Sequence, residues 1–495
     1  MSENLFEKEG RTRNYSRTAV LIMLKAFDDI VGKDNIESIF VEFTVGTHLY
    51  IRPKLKVELS KKLYTDLWSR MHDYIEADLP IEKVSEKVSD LYTEMIEEGR
   101  IKEAEFLHFR RTSRITITKL EDYCVYFYGS VLKRTGAVKS FDIMPYKDGF
   151  FLLLPDVDDL ETIPPVDIPE KFYETNAESF RVSHELGIDT ITKLNREICE
   201  GNVNDLILTS ESIFDNKLAL TANEIVVRGR KFVFIAGPSS SGKSSTAYRL
   251  SYALRTYGST PHIISLDDYY RDRTELKRNN VEINVEDVDA LDVEQFKSDM
   301  QALLAGNEVE LPHFNFITEK REYNGTKIRL DDNDILIIEG IHSLNDRFSE
   351  GLPDEYIYKI YVSALSQFNI DEHNRIPSSD IRLLRRIVRD HRTRGYNAGM
   401  TIRMWPDVRE GEEENIFPYQ GSADRMIDTS MVYEIAAIKP YAERVLFCVQ
   451  RNTPEYAKAK ELLKFLNFVV PLSPDLIPPA SIIREFIGGS CLNVR

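Results

Sequence analysis

The octapeptide Gly237-Pro238-Ser239-Ser240-Ser241-Gly242-Lys243-Ser244 constrains this chain more than any other stretch. It fits the pattern GxxxxGK[ST]. It follows an apolar run at 231–236 that reads as a buried strand, and it precedes 245–254, which reads as a helix. That strand–loop–helix order gives the pattern a mechanism. Glycines let backbone N–H groups turn inward around phosphate oxygens, at a helix N-terminus whose dipole favours negative charge. Lys243 is expected to reach the β- and γ-phosphates, and the Ser244 hydroxyl to ligate Mg²⁺. The expected cofactors are therefore ATP and Mg²⁺, with the nucleotide on Gly237, Pro238, Ser239, Ser240, Ser241, Gly242, Lys243, Ser244 and Ser245.

A chain of 495 residues is long enough for roughly three domains. The net charge of −17 favours solubility and argues against a broad nucleic-acid-binding surface, because phosphate backbones repel a field of that sign. The four cysteines, Cys124, Cys199, Cys448 and Cys491, form no CxxC pair, so neither a zinc knuckle nor a disulfide framework is suggested. Reduced thiols in a cytoplasmic protein fit this usage. Residues 1–8 lack the apolar core of a signal peptide. No stretch reaches the roughly 18 apolar residues that a membrane span needs.

Along the chain, residues 1–160 mix helices and strands, an α+β pattern. Apolar spacing predicts helices over 18–31, 61–79 and 81–98, and strands over 36–43, 48–51, 122–129 and 149–155. Prolines and acids then cluster at 155–159 and 164–166, a boundary signal. Residues 161–227 read as a helical connector. From 228 to 450 strands alternate with helices, the pattern of a parallel α/β sheet flanked by helices. Its further strands are expected at 262–266, 334–338, 357–362 and 445–449. Such near-continuous apolar runs suit strands buried on both faces. Residues 451–495 form a tail with a helix at 456–466 and a short terminal helix.

Three elements stand where phosphoryl transfer needs them. The second strand ends in Ser265-Leu266-Asp267-Asp268-Tyr269-Tyr270. Ligands of open α/β sheets bind at the carboxyl ends of strands, and a carboxylate there can take the proton of an acceptor hydroxyl. The third strand ends in Glu339, where an acid can hold Mg²⁺ directly or through water. The third element is the basic helix around 381–395, in which Arg382, Arg385, Arg386 and Arg389 share one face. Clustered like charges destabilise an isolated helix. Beside a phosphate loop they read as a lid that stabilises transition-state charge and excludes water.

With these residues in view, 229–450 resembles the phosphoribulokinase and uridine kinase family of P-loop kinases. The matching blocks are 237–244, 265–270, Asp287-Val288-Asp289-Ala290-Leu291-Asp292, Leu311-Pro312-His313-Phe314-Asn315-Phe316, Ile338-Glu339-Gly340-Ile341 and the arginine helix. The resemblance implies a P-loop NTPase fold with Asp267 as catalytic base and Tyr270 lining the acceptor pocket. It implies Asp289 near the acceptor's hydroxyls, Phe314 and Phe316 on its base side, and Arg382, Arg385 and Arg389 in the lid, with Arg382 also reaching the acceptor. Uridine kinases carry a histidine after the aromatic pair; here Ile317-Thr318-Glu319-Lys320-Arg321 has none. A carboxylate such as Glu319 asks instead for a donor-bearing acceptor, since a buried polar group without a partner costs about 1–3 kcal/mol.

Residues 10–155 resemble the second additional domain of threonyl-tRNA synthetases. The resemblance rests on Met71-His72-Asp73-Tyr74-Ile75-Glu76-Ala77-Asp78-Leu79-Pro80, the strand around Cys124 and Lys139-Ser140-Phe141-Asp142-Ile143. In editing enzymes that domain binds zinc through an HxxxH and a Cys-x-x-x-His pair. Here the first helix has no histidine and Tyr128 stands where the last ligand would be, so one cysteine cannot build a four-ligand site. Cys124 is expected in the core. The leading reading is an ATP-dependent small-molecule kinase acting on a nucleoside or related hydroxyl compound. A nucleotide-switched binding protein and an editing hydrolase are the alternatives, and homo-oligomerisation is left open.

Overall fold

The computed structural model describes residues 5–272, 287–315, 318–365 and 369–494. The chain forms two compact units, one of residues 1–202, 367–377 and 460–470, the other of 203–366, 378–459 and 471–495. The division at 202 falls inside the segment expected as a connector, and residues 471–495 fold with the second unit.

The first unit runs α1 (Leu5–Val31), β1 (Ile36–Val45), β2 (His48–Leu55), α2 (Lys61–Glu76), β3 (Glu82–Lys87), α3 (Val88–Glu97), α4 (Ile101–His108), β4 (Arg114–Leu120), β5 (Tyr123–Val125), β6 (Asp142–Tyr146), β7 (Gly149–Leu153), α5 (Glu170–Glu185) and α6 (Ile191–Glu200). It holds a four-stranded antiparallel sheet ordered β1-β2-β7-β6 and a three-stranded sheet β3-β4-β5. Strand alternation divides the core. Phe150 and Leu152 of β7 face α1 and α2, where they pack with Leu21, Phe27, Leu67 and Met71. Phe151 faces the other way, into a cluster with Phe43, Tyr50 and Tyr173.

Two expectations fail in this unit. The helix expected over 81–98 begins only at Val88; residues 82–87 pair antiparallel with β4, from Glu82 opposite Lys119 to Lys87 opposite Arg114. A ladder to a strand thirty residues away leaves no local periodicity to read. Cys124 is exposed, not buried, on a strand of only three residues.

The second unit runs α7 (Val203–Val227), β8 (Phe232–Ala236), α8 (Lys243–Thr256), β9 (Thr260–Ser265), α9 (Val293–Leu304), β10 (Val309–Asn315), β11 (Lys320–Ile328), β12 (Asp334–Glu339), α10 (Asp346–Ser349), β13 (Ile357–Ser363), α11 (Ser378–Thr393), α12 (Ala398–Asn415), β14 (Arg425–Asp428) and α13 (Glu434–Leu446). Then come α14 (Tyr456–Leu466), whose residues from 460 belong to the first unit, and α15 (Ile483–Ile487). The sheet is parallel, ordered β14-β13-β8-β12-β9. Every residue of central β8 is buried, as a strand covered on both faces must be. On one face α8 locks to α7: Arg249 forks to Glu211 and Asp215, each at 2.6 Å.

The strand expected at 445–449 does not form. Residues up to Leu446 finish α13, and Phe447 is exposed. The edge of the sheet is β14, whose two apolar residues, Met426 and Ile427, are too few to announce a strand. Because the sheet is parallel, the carboxyl ends of β8, β9 and β12 share one edge. Glu339 lies opposite Ser265 on one side and Ile235 on the other.

Phe234 is wholly buried at the centre of this sheet. Phe234→Ala is expected to lower unfolding free energy by about 3–5 kcal/mol, read as a shifted midpoint in chemical denaturation.

Candidate active site

The loop after β8 makes a turn that needs its glycines. A side chain at Gly237 would collide with the Val362 carbonyl oxygen. Gly242 has φ 84° and lies against Ile482. Ser240 also adopts positive φ, at 60°, a strained state that its surroundings must hold.

Those surroundings are the basic helix α11 and its partners. Arg382 Nη1 donates to the Ser239 carbonyl at 3.1 Å, Arg385 Nη1 to that of Ser240 at 3.3 Å, and Thr429 Oγ1 to that of Ser241 at 2.6 Å. Arg386 Nη1 donates to the Ser239 hydroxyl at 2.8 Å. Glu412 accepts from the Ser239 N–H at 2.9 Å. Lys243 Nζ folds back onto the carbonyls of Gly237 and Pro238 at 3.0 and 3.2 Å.

This geometry corrects the expected lid. The lid reading gives Arg382 and Arg385 to transition-state charge, and Arg382 also to the acceptor. Instead both are buried in two-point ion pairs. Arg382 meets Glu412 at 2.5 and 2.8 Å, and Arg385 meets Glu434 at 3.2 and 2.5 Å. A guanidinium committed to a carboxylate and a loop carbonyl braces the loop from behind. Burial raises the Glu412 carboxyl, but Arg382 and Arg409 overcome it and hold the group below its ordinary value. Asp390 likewise gathers Arg386 and Arg389, at 3.3 and 2.8 Å.

In front of the loop lies a charged centre. Asp267 sits in the turn Leu266–Tyr269 after β9, and Glu339 closes the adjacent β12. Burial pushes the Asp267 carboxyl up, while Lys243, Arg394 and Arg389 pull it back. Burial pushes Glu339 to about 7, the Asp267 charge adds to that rise, and Lys243 and the Ser265 hydroxyl oppose it. Burial lowers Lys243, against the pull of Glu339 and Asp267. The three groups act in one another's field, and perturbation of this kind gathers at functional sites. Of the basic helix, Arg389 and Arg394 act on Asp267. Arg394 was missed in sequence because it lies beyond the periodic face.

On the side away from the loop, Asp268 accepts from the Phe314 N–H at 3.1 Å and pairs with His313 Nδ1 at 3.0 Å. That fastens β10 to the end of β9 and sets the Phe314 ring 5.5 Å from that of Tyr270. Tyr269 donates to Asp299 at 3.0 Å and is absorbed in packing. Asp289 is exposed and paired with Arg347 at 2.7 Å. Glu319, with φ 55°, sits between β10 and β11. Phe316 lies outside the described residues. Tyr270 and Phe314 are thus brought together, and Asp267, Lys243, Glu339 and Arg389 form the charged centre, while Asp289 pairs with Arg347 instead.

The donor set fits Mg²⁺. Among the described residues no three His, Cys, Asp or Glu side chains gather as a metal cage. Mg²⁺ does not ask for one: it keeps several waters and takes one or two carboxylates with substrate phosphates. The Ser244 hydroxyl and the Glu339 carboxylate are such donors.

A parallel sheet with a braced phosphate loop, an acid closing the neighbouring strand β12 and another just after β9 defines a P-loop kinase. The pattern of the Phosphoribulokinase / Uridine kinase family matches residues 232–436. A uridine kinase of Lactobacillus helveticus is 30% identical over 172 residues, covering 34% of this chain and 72% of that one. A uridine kinase of Clostridium perfringens is 30% identical over 179 residues, 36% of this chain and 76% of its own. One from Halobacterium salinarum is 27% identical over 195 residues, 39% and 77% of the two chains. The chain belongs to the phosphoribulokinase/uridine kinase family, and it is a phosphotransferase with a hydroxyl acceptor. Among the described residues no helix is long and apolar enough to cross a membrane.

Arg385 and Glu434 are both essentially inaccessible. Glu434→Ala is expected to cost about 3–5 kcal/mol by stranding the arginine, whereas Arg385→Met with Glu434→Leu recovers most of that stability. Denaturant midpoints of the two variants measure the difference. Loss of ATP affinity in the stable double variant would separate loop bracing from folding.

Proposed function

We propose that this protein transfers the γ-phosphoryl group of ATP to a hydroxyl of a nucleoside, at the 5′ position. The observation that carries this reading is the half-buried centre of Lys243, Asp267 and Glu339 beside the phosphate loop. The uridine kinases among its relatives support the nucleoside class. Lys243 leaves the carbonyls of Gly237 and Pro238 for the β- and γ-phosphates. Asp267 orients the acceptor hydroxyl and accepts its proton as the oxygen bonds to phosphorus. Arg389 and Arg394 lend positive charge to that side of the centre. Tyr270 and Phe314 offer an apolar wall against which an acceptor base can lie, and Glu319 an acceptor of hydrogen bonds from its amino groups. Ser244 and Glu339 would hold Mg²⁺, which when bound neutralises charge on the phosphate oxygens.

The first unit carries the resemblance to the synthetase domain without that domain's ligand pattern. We assign it no hydrolytic chemistry; substrate selection, regulation or self-association are the roles its sequence leaves.

Asp267→Asn is expected to keep affinity for an ATP analogue while phosphoryl transfer falls by about 10²–10⁴. Lys243→Ala is expected to lose affinity as well. The assay is ADP release and acceptor phosphorylation across nucleosides, sugars, sugar phosphates and pantothenate. Tight ATP binding without transfer to any acceptor would favour a nucleotide-switched binding protein.

Asp267 must be ionised to accept a proton, and its carboxyl is raised by burial. The acid limb of the kcat/KM profile is therefore expected above the ordinary aspartate value of about 3.9, with activity lost as pH falls through it. A profile flat down to that value would remove Asp267 as the base.

A further inference from the structure

Ser245 is the third residue of α8, wholly buried, and its hydroxyl donates to Glu485 Oε2 at 2.6 Å. Its backbone N–H points to the same oxygen at 3.4 Å. This N–H belongs to the first turn of a helix, where donors have no partner within the helix and the dipole favours an anion. In a phosphate loop those donors serve the phosphates. Here the anion on them is a carboxylate of the chain itself, from a segment far along the sequence.

The segment is seated by more than this contact. Ile482, Ile483 and Phe486 are completely buried. Ile482 abuts Gly242, so closely that a Cβ there would stand 2.8 Å from its Cγ2. Arg385, which braces the loop, lies over the Phe486 ring at 5.0 Å. Arg392 donates to the carbonyls of Glu485 and Phe486 at 2.7 and 3.2 Å. Ser481 Oγ lies 2.9 Å from the Tyr433 hydroxyl. The Glu485 charge is felt at both Lys243 and Glu339.

We propose that α15 is a built-in competitor for the nucleotide, with Glu485 standing in for a phosphate on Ser245. Two anions cannot share these donors in a water-poor site, because like charges at contact distance repel strongly where the dielectric is low. Nucleotide binding then requires Glu485 to leave Ser245. The observed affinity is the intrinsic affinity reduced by the fraction of molecules in which the carboxylate is displaced. This inference rests on the nucleotide reading of the loop and adds regulation to it.

The test uses the full chain and a non-hydrolysable ATP analogue with Mg²⁺, by calorimetry, on wild type, Glu485→Gln and Glu485→Ala. Removing the charge is expected to tighten binding tenfold or more. Glu485→Gln keeps the shape of the side chain, so it remains informative if the alanine variant fails to fold. Hydrogen exchange on wild type is expected to show faster exchange of the 483–487 amides when the analogue is added. Unchanged or weaker binding by Glu485→Gln, or amides of 483–487 indifferent to the analogue, would overturn the competitor while leaving the kinase reading intact. No binding by any of the three proteins would overturn the nucleotide reading itself, and this inference with it.

Discussion

The phosphate loop keeps its shape because two buried arginine–glutamate pairs stand behind it. Ser240 at positive φ is a strained state that its surroundings must hold, and the carbonyls of Ser239, Ser240 and Ser241 all accept from side chains. Arg382 and Arg385 supply donors to two of those carbonyls and Thr429 to the third, and Glu412 and Glu434 neutralise the arginines where water cannot. Removing one member of such a pair leaves a charge stranded in low dielectric, so each piece depends on the rest. The arrangement also explains why α11 has so basic a face in an acidic chain. Arg382 and Arg385 each pair with a carboxylate, from α12 and α13, and Arg386 and Arg389 share Asp390.

The same dependence sets the electrostatics in front of the loop. With Arg382 and Arg385 committed behind it, the positive charge near Asp267 comes from Lys243, Arg389 and Arg394. Burial raises both Asp267 and Glu339, and the Asp267 charge raises Glu339 further. A cation bound between these acids would relieve their repulsion and bring with it an anionic phosphate. Glu485 presses from the other side, at the first turn of α8, and adds a third carboxylate to the field felt by Lys243. The loop is therefore held by arginines behind and contested by an acid at its helical end.

Much of the second unit was legible from local pattern. The loop motif, the apolar runs of β8, β9, β12 and β13, and the acids at the ends of β9 and β12 are all short-range signals. Parallel pairing then brings Asp267 and Glu339 to one edge without further information. The misreadings share a cause. Residues 82–87 form a strand and 445–446 a helix because of partners distant in sequence, and β14 is too short to carry a period. The basic face was visible as a pattern, but its purpose was not, because Glu412 and Glu434 lie thirty and forty-nine residues from the arginines they pair with.

What the sequence determined by itself is chemistry that fits within a few consecutive residues: a loop that wraps phosphate, a lysine and hydroxyl at its end, and carboxylates after apolar strands. What only the tertiary structure decided is which charges meet. It turned Arg382 and Arg385 from a lid into a brace, placed Arg394 near Asp267, paired Asp289 with Arg347, and brought Glu485 onto Ser245 from 240 residues away. The physical reason is that the role of a charge depends on burial and on its nearest opposite charge, and neither is a local property of the chain.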